Sequence, residues 1–267
     1  MAEPFFSIVC IFNKPDLLQK DLLDSLARQT FTDWETVTLD TKAEGFDRAS
    51  ASLNAACARA KGRYLVVAHQ DMIFTQPDTL ERLAAECEPA FEQDGYGLLG
   101  SAGAYAGGGG FNGMEETDGP VPGIVPCMTV DECILVLPRR LKEQFQFSDL
   151  GKTWHAYGAD ICMQLGQAGY KIGVFRAPVW HDWGTPETGS QTTDLNYFMT
   201  MGKLTWKYRG VVPAIATTGG LWPTGWGYSS VLRRRLPMAL RGWVKKHAPK
   251  KAWAALKKAK DTVKGKK

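Results

Sequence analysis

The chain has 267 residues, 44% hydrophobic and 22% charged, which is long enough for a core without covalent staples and too balanced for wholesale disorder. No run of about 18 apolar residues occurs, so no membrane-spanning helix is expected. The net charge of +4 hides an asymmetry, because residues 233–267 hold fourteen Lys/Arg against the single acid Asp261, giving +13 there and −9 on the remainder. A basic end on an acidic body points to a polyanionic surface as partner.

The start, Met1-Ala2-Glu3-Pro4, places an acid and a proline before the first apolar run and has no basic leader, so a cytoplasmic chain is expected. Phe6 to Phe12 is a continuous apolar run stopped by Asn13-Lys14-Pro15-Asp16, the pattern of a strand buried on both faces. Leu17, Leu18, Leu22, Leu23 and Leu26 then recur at helical spacing. Thr36 to Leu39 is β-branched and stops at Asp40, and the alanine-rich segment from Ala49 to Ala60 reads as a helix closed by Gly62 at its C′ position. Tyr64 to Ala68 is the next buried strand, and Pro77-Asp78 opens a helix carrying Leu80, Leu83 and Ala84. This rhythm predicts an α/β fold with a mostly parallel central sheet and helices on both faces. In such sheets ligands bind beyond the carboxyl ends of the strands, which nominates Phe12-Asn13, Leu39-Asp40 and Ala68 to Asp71.

Residues 100–113 contain seven glycines and read as loop after Tyr105. Ile134 to Leu137 predicts a strand, Asp160 to Gln167 a short helix ended by Gly169, and Lys171 to Phe175 another strand. The Trp/Gly-rich residues 219–232 read as a linker between a body at 1–218 and a basic helical extension at 233–267. In that extension Leu232, Leu236, Leu240, Trp243, Val244 and His247 follow helical spacing, which Trp253, Leu256 and Val263 resume after Pro249. Amphipathic basic helices with Trp suit an anionic membrane surface, while a solvated end and nucleic acid are the competing readings. The six cysteines form no C-x-x-C pair and read as reduced core thiols, not as a zinc site.

His69 and Asp71 stand two apart at a strand end and so share a face, with Gln70 pointing away. An imidazole and a carboxylate are plausible ligands for a divalent ion, Mn²⁺ before Mg²⁺, with His181 as a third. The competing reading is a local hydrogen bond for His69 and a turn for Asp71. Asp40 could accept from a ribose or base, or simply close a turn. Asn54 could reach the same crevice or face solvent. Asp160, at a helix start, is either an N-cap or a general base beside the aromatic platform of Trp154 and Tyr157.

The ordered set resembles the family 2 glycosyltransferases of the GT-A fold, in the bacterial branch that carries H-Q-D in place of D-x-D. The likeness rests on Ser7 to Pro15, then Leu18, Leu22, Ser25, Leu26, Gln29-Thr30 and Trp34-Glu35. It continues through Asn54, Gly62-Arg63-Tyr64, Val66 to Asp71, Gly100 to Gly103, Trp154-His155, Tyr157, Asp160, Cys162, Ala168-Gly169-Tyr170 and His181, over roughly residues 5–210. The resemblance implies an inverting transferase for a nucleotide-diphosphate sugar, with a UDP-linked donor, acting on a glycan or lipid-linked acceptor in cell-surface polysaccharide synthesis. It implies that Phe12, Asn13, Asp40, Asn54 and Gln70 contact the nucleotide, and that His69, Asp71 and His181 hold the metal. Trp154 and Tyr157 would contact the acceptor. The expected location is cytoplasmic and peripheral on the inner face of the cell membrane, with no nucleic-acid partner. Two positions depart from the family pattern. Gly158 stands where an acidic base is expected, leaving Asp160 as the base with His155 in reserve. Leu53 replaces an arginine, leaving Arg48 or Lys42 to meet phosphate. These departures keep a catalytically degenerate nucleotide- or glycan-binding relative as the second reading, with a nucleotidyltransferase as the third.

Overall fold

The computed structural model describes residues 3–114, 123–182 and 195–247. Strand β1 (Phe6–Phe12) leads into α1, a helical segment that is α-type at Pro15–Leu17, π-type at Leu18–Leu23 and α-type again at Asp24–Leu26. β2 (Trp34–Asp40), α2 (Ala49–Cys57) and β3 (Tyr64–Ala68) follow, and β1 pairs in parallel with both β2 and β3. Next come β4 (Met72–Phe74), α3 (Thr79–Glu92), β5 (Tyr96–Gly100), β6 (Ala102–Ala104) and β7 (Gly110–Asn112). β8 (Val125–Cys127), β9 (Thr129–Val130), β10 (Ile134–Pro138), α4 (Arg139–Gln144) and α5 (Tyr157–Gln167) continue the chain. It ends with β11 (Lys171–Val174), β12 (Val179–His181), α6 (Leu195–Lys207), β13 (Ala214–Thr217), β14 (Gly220–Pro223) and α7 (Tyr228–His247).

The central sheet has seven strands in the order β2-β1-β3-β10-β5-β11-β8. β2, β1, β3, β5 and β11 run one way, and β10 and β8 run against them. The α/β class with a mostly parallel sheet is therefore the one adopted. Successive residues on a strand face opposite sides, and the core divides accordingly. Phe6, Ile8, Tyr64, Val66, Ile134 and Val136 join one buried cluster, with Leu18 and Leu22 of α1 and Leu80 and Leu83 of α3. Val9, Leu65, Val67, Leu135 and Leu137 join the other, with Leu53 of α2 and Ile161 and Leu165 of α5. Each fully buried Leu or Ile contributes about 1.5–3 kcal/mol of transfer free energy, so covering both faces selects apolar residues along these strands, with Ser7 of β1 as a buried polar exception.

Several expectations need correction. The helix at 49–60 stops at Cys57, and Gly62 is not its C′ cap. Gly62 lies against β1, where a Cβ would come 2.5 Å from the Ser7 amide nitrogen, and its own N–H donates to Ser7 Oγ at 2.8 Å. The glycine-rich stretch is loop after Tyr105 only as far as Gly109, because Gly110–Asn112 form β7 and pair with β6. The helix read from Asp160 begins three residues earlier, at Tyr157. Residues 219–232 are not a linker. β14 pairs with β13, and Trp222 is fully buried in a third cluster with Phe198, Met201, Leu204 and Tyr228. The basic extension starts as the continuation of α7, rooted in that cluster by Val231 and Leu232, and runs to His247 with Pro237 inside. The helical pattern read at Trp253, Leu256 and Val263 lies outside the described residues. Among the described residues, no helix is long and apolar enough to cross a membrane.

Candidate active site

β3 ends at Ala68, and the chain turns over the sheet's carboxyl edge. The His69 amide donates to Cys133 O at 3.0 Å, and the Met72 amide closes the turn by donating to His69 O at 3.3 Å. β4 then pairs antiparallel with β12, setting Met72 opposite His181, and the Asp182 amide donates to Asp71 O at 2.9 Å. This ribbon carries His181, 110 residues away in sequence, to Asp71, with Nε2 3.1 Å from Oδ1. The His69 and His181 rings stand 5.5 Å apart.

Each member is oriented by a partner. Tyr157 Oη lies 2.9 Å from His69 Nε2, and Cys133 Sγ lies 3.4 Å from His181 Nδ1. Burial holds the His69 imidazole below its ordinary pKa and therefore neutral at pH 7, the form that can ligate a metal. Burial alone would raise the Asp71 carboxyl, but the hydrogen bond and charge of His181 outweigh it and hold the pKa below the usual carboxylate value. Burial pushes the Cys133 thiol well above its ordinary pKa, and Sγ donates to Asp131 Oδ1 at 2.7 Å.

Two cavities meet here. The first is a cleft lined by Phe12, Asn13, Thr41, His69, Gln70, Asp71, Glu132, Trp154, His155 and Tyr157. The second is lined by His69, Asp131, Glu132, His181, Tyr197, Met201, Thr217 and Thr218, under α6 and the β13–β14 turn. Phe12, Asn13, His69, Gln70, Asp71, Trp154, His155 and Tyr157, all singled out in the sequence, therefore share one cleft, and His181 enters from the second cavity.

Several of these side chains have other work than expected. Gln70 does not point away from the cleft: its Oε1 accepts from the Asn13 and Lys14 amides at 3.1 and 3.0 Å and so fixes the loop after β1. Tyr157 offers no flat platform, because its ring packs edge-on against Phe147 and its hydroxyl meets His69. Trp154, 40% exposed, remains available at the cleft. Asp40 closes a turn, its Oδ1 accepting from the Lys42 and Ala43 amides at 2.9 and 3.0 Å, and its neighbour Thr41 lines the cleft instead. Asn54 is turned away from the crevice. It donates to Phe147 O at 3.0 Å and accepts from Lys142 Nζ at 2.8 Å. Arg48 is paired with Asp47 and Asp149.

Asp160 lines neither cavity. Fully buried on the first turn of α5, it accepts from Lys207 Nζ at 2.6 Å, Tyr208 Oη at 2.9 Å and Gln164 Nε2 at 2.8 Å. It binds α5 to α6 and is not placed to act as the base. The acid at the junction of the two cavities is Glu132, which the sequence reading missed. Its Oε1 accepts from the Gly158 amide at 3.0 Å. Burial, reinforced by the neighbouring charge of Asp131, pushes its pKa up to about 8 against the pull of the α5 amides. Ala156, with φ of 67°, is the one non-glycine among the described residues in the left-handed region, and it starts the turn that presents those amides. The available sequence signal was an acidic pair, Asp131-Glu132, ahead of a buried strand.

Ligand atoms of His69, Cys133 and His181 lie within 4.8 Å of one another, a spacing that suits a divalent ion. Asp71 joins this group through His181, and the 3.1 Å between Asp71 Oδ1 and His181 Nε2 is close to the roughly 3 Å that separates cis ligands of an octahedral ion at about 2.1 Å. The Tyr157 contact supplies the outer partner that ligating histidines need.

No family model matches the chain, and no curated protein matches it. Some solved structures resemble it in backbone shape. S. aureus TarS 1-349, in complex with UDP-GlcNAc, is 15% identical over 75% of this chain and 65% of that chain, with a TM-score of 0.48. The mannosyltransferase PcManGT from Pyrobaculum calidifontis, in complex with GDP-Man and Mn²⁺, is 13% identical over 98% of this chain and 81% of that chain, also with a TM-score of 0.48. The chain spans just under two thirds of the TarS fragment. Both likenesses are remote and concern the backbone alone.

Proposed function

We propose that the chain is an inverting glycosyltransferase that moves a sugar from a nucleotide-diphosphate donor to a hydroxyl of a glycan or lipid-linked acceptor. The observation that carries this reading is the convergence of His69, Asp71 and His181 at the carboxyl edge of β3, beside a cleft edged by Phe12, Asn13 and Thr41. His69, Asp71 and His181 would hold Mn²⁺ or Mg²⁺, which when bound neutralises charge growing on the departing diphosphate. Gln70 keeps the β1 loop in the conformation that shapes the nucleotide side of the cleft. Trp154 offers an exposed aromatic face to a sugar at its rim. The exposed Arg233 and Arg234 on α7 favour a peripheral seat on an anionic membrane leaflet, where lipid-linked acceptors reside.

The test is calorimetric titration of the full chain with UDP-glucose, UDP-GlcNAc and GDP-mannose, with and without MnCl₂. At least one donor is expected to bind, at least tenfold more tightly with metal, and Asp71→Ala is expected to erase the metal effect. Absence of binding for the whole panel, or binding indifferent to metal and to Asp71→Ala, would sink the reading. A second reading, a catalytically degenerate nucleotide or glycan binder, draws on one observation. The Asp160 carboxylate is committed to Lys207 and Tyr208 and cannot serve as base.

A further inference from the structure

Resting on the transferase reading, we infer that Glu132 is the group that takes the proton from the acceptor hydroxyl, and that the cavity under α6 and the β13–β14 turn receives that acceptor.

Three observations converge on this residue. First, among the described acids only Glu132 lines both cavities, which puts its carboxylate where a group held in one can meet a group held in the other. Second, the other carboxylates nearby are committed. Asp71 is bound to His181. Asp131 accepts from Thr218 Oγ1 and Cys133 Sγ, both at 2.7 Å. Asp160 is locked to Lys207 and Tyr208. Third, the fold makes room for Glu132. A Cβ on Gly158 would come 2.8 Å from Glu132 Cγ, so the bare glycine at the start of α5 is what admits this side chain from the β9–β10 connection. The chain thus fills from one segment a space that a side chain of another segment would otherwise occupy.

The step is balanced as follows. The acceptor oxygen forms a bond to the anomeric carbon as the bond from that carbon to the phosphate oxygen breaks. The nucleoside diphosphate leaves with the electron pair. The hydroxyl proton passes to an oxygen of the ionised Glu132 carboxylate, the form whose share grows as the pH nears 8, and from there to solvent. The Gly158 amide fixes the carboxylate during transfer and needs no rearrangement, which is the kind of preorganisation that makes proton transfer effective.

The bland alternative is that Glu132 only caps α5. Glu132→Gln separates the two, because its amide oxygen still accepts from the Gly158 N–H but cannot take a proton. The native chain, Glu132→Gln, Glu132→Asp and His155→Gln are compared by donor binding and by release of free nucleoside diphosphate to water from UDP-glucose, UDP-GlcNAc and GDP-mannose with MnCl₂. Water uses the same base as an acceptor hydroxyl. The expected result for Glu132→Gln is donor affinity and KM within about threefold of native with kcat lower by about 100-fold or more, with Glu132→Asp retaining an intermediate rate. Turnover of Glu132→Gln within tenfold of native overturns the assignment, as does loss confined to His155→Gln. A native chain that binds a donor and releases no nucleoside diphosphate also overturns it and leaves the degenerate binder. A native chain that binds no donor at all overturns the transferase reading itself, and is recognised before any variant is assayed.

Discussion

Asp71 and His181 are brought together by pairing register: Met72 stands opposite His181 across β4 and β12, and the carboxylate and imidazole meet at 3.1 Å. Removing either should therefore do the same thing to a bound ion. Asp71→Asn and His181→Ala are each expected to weaken Mn²⁺ binding by 100-fold or about 3 kcal/mol, and the double variant should lose little more than either single one, because the two act on one ion. Titration with Mn²⁺ monitored by electron paramagnetic resonance measures this directly. Fully additive losses would show that the two side chains serve separate sites.

Asp160 gives the opposite expectation. Its charge is buried and held by Lys207 and Tyr208, so it is a clamp between α5 and α6. Asp160→Ala should destabilise the chain by about 2–4 kcal/mol, since it strands the buried polar partners that met the carboxylate. Donor affinity of the folded fraction should stay near native. Thermal unfolding read beside donor titration separates the two effects, and a variant of native stability that no longer turns over would restore Asp160 as the base.

The contrast between Asp160 and Glu132 shows what could be read from the chain and what could not. Strand periodicity at Phe6 to Phe12 and Tyr64 to Ala68 announced a sheet buried on both faces, and the strand ends pointed to His69 and Asp71, which line the first cleft. That information is local, because alternation and strand termination are properties of neighbouring residues. Whether an acid faces a cavity or a lysine is decided by tertiary packing. Lys207 lies 47 positions from Asp160, and Gly158 lies 26 positions from Glu132, and no spacing rule connects either pair. Residues 219–232 failed as a linker for the same reason. Glycine and tryptophan there look like punctuation, yet Trp222 is the largest side chain in the third core.

Glu132 also predicts a pH signature. Burial and the charge of Asp131 push its pKa from an ordinary 4.5 up to about 8. The folded chain therefore keeps a proton that the unfolded chain releases. The stabilisation this represents is complete below about 4.5 and is lost as the pH climbs through about 8. Glutamine does not titrate, so the stability of Glu132→Gln relative to native should rise steadily between those limits, by up to a few kcal/mol at about 1.4 kcal/mol per unit. Calorimetric melting of both proteins across this pH range checks it, and taking the difference cancels the other ionisable groups. A difference that stays flat would mean that Glu132 titrates as an ordinary exposed carboxyl.

The basic end of the chain makes a prediction about salt. Arg233 and Arg234 stand exposed on α7, while Val231 and Leu232 immediately before them anchor that helix in the third core. Arginines on a rigid base lose little freedom on meeting a charged surface, and each held near an anionic leaflet is worth about 1 kcal/mol. The full chain should float with phosphatidylglycerol vesicles at low ionic strength and be released as added salt shortens the screening length. It should ignore phosphatidylcholine vesicles. Reversing two charges in Arg233→Glu, Arg234→Glu should weaken the partition by about tenfold or more, since two attractive contacts become repulsive. Equal flotation of native and variant, or binding that is indifferent to lipid charge, would rule out electrostatic docking through α7.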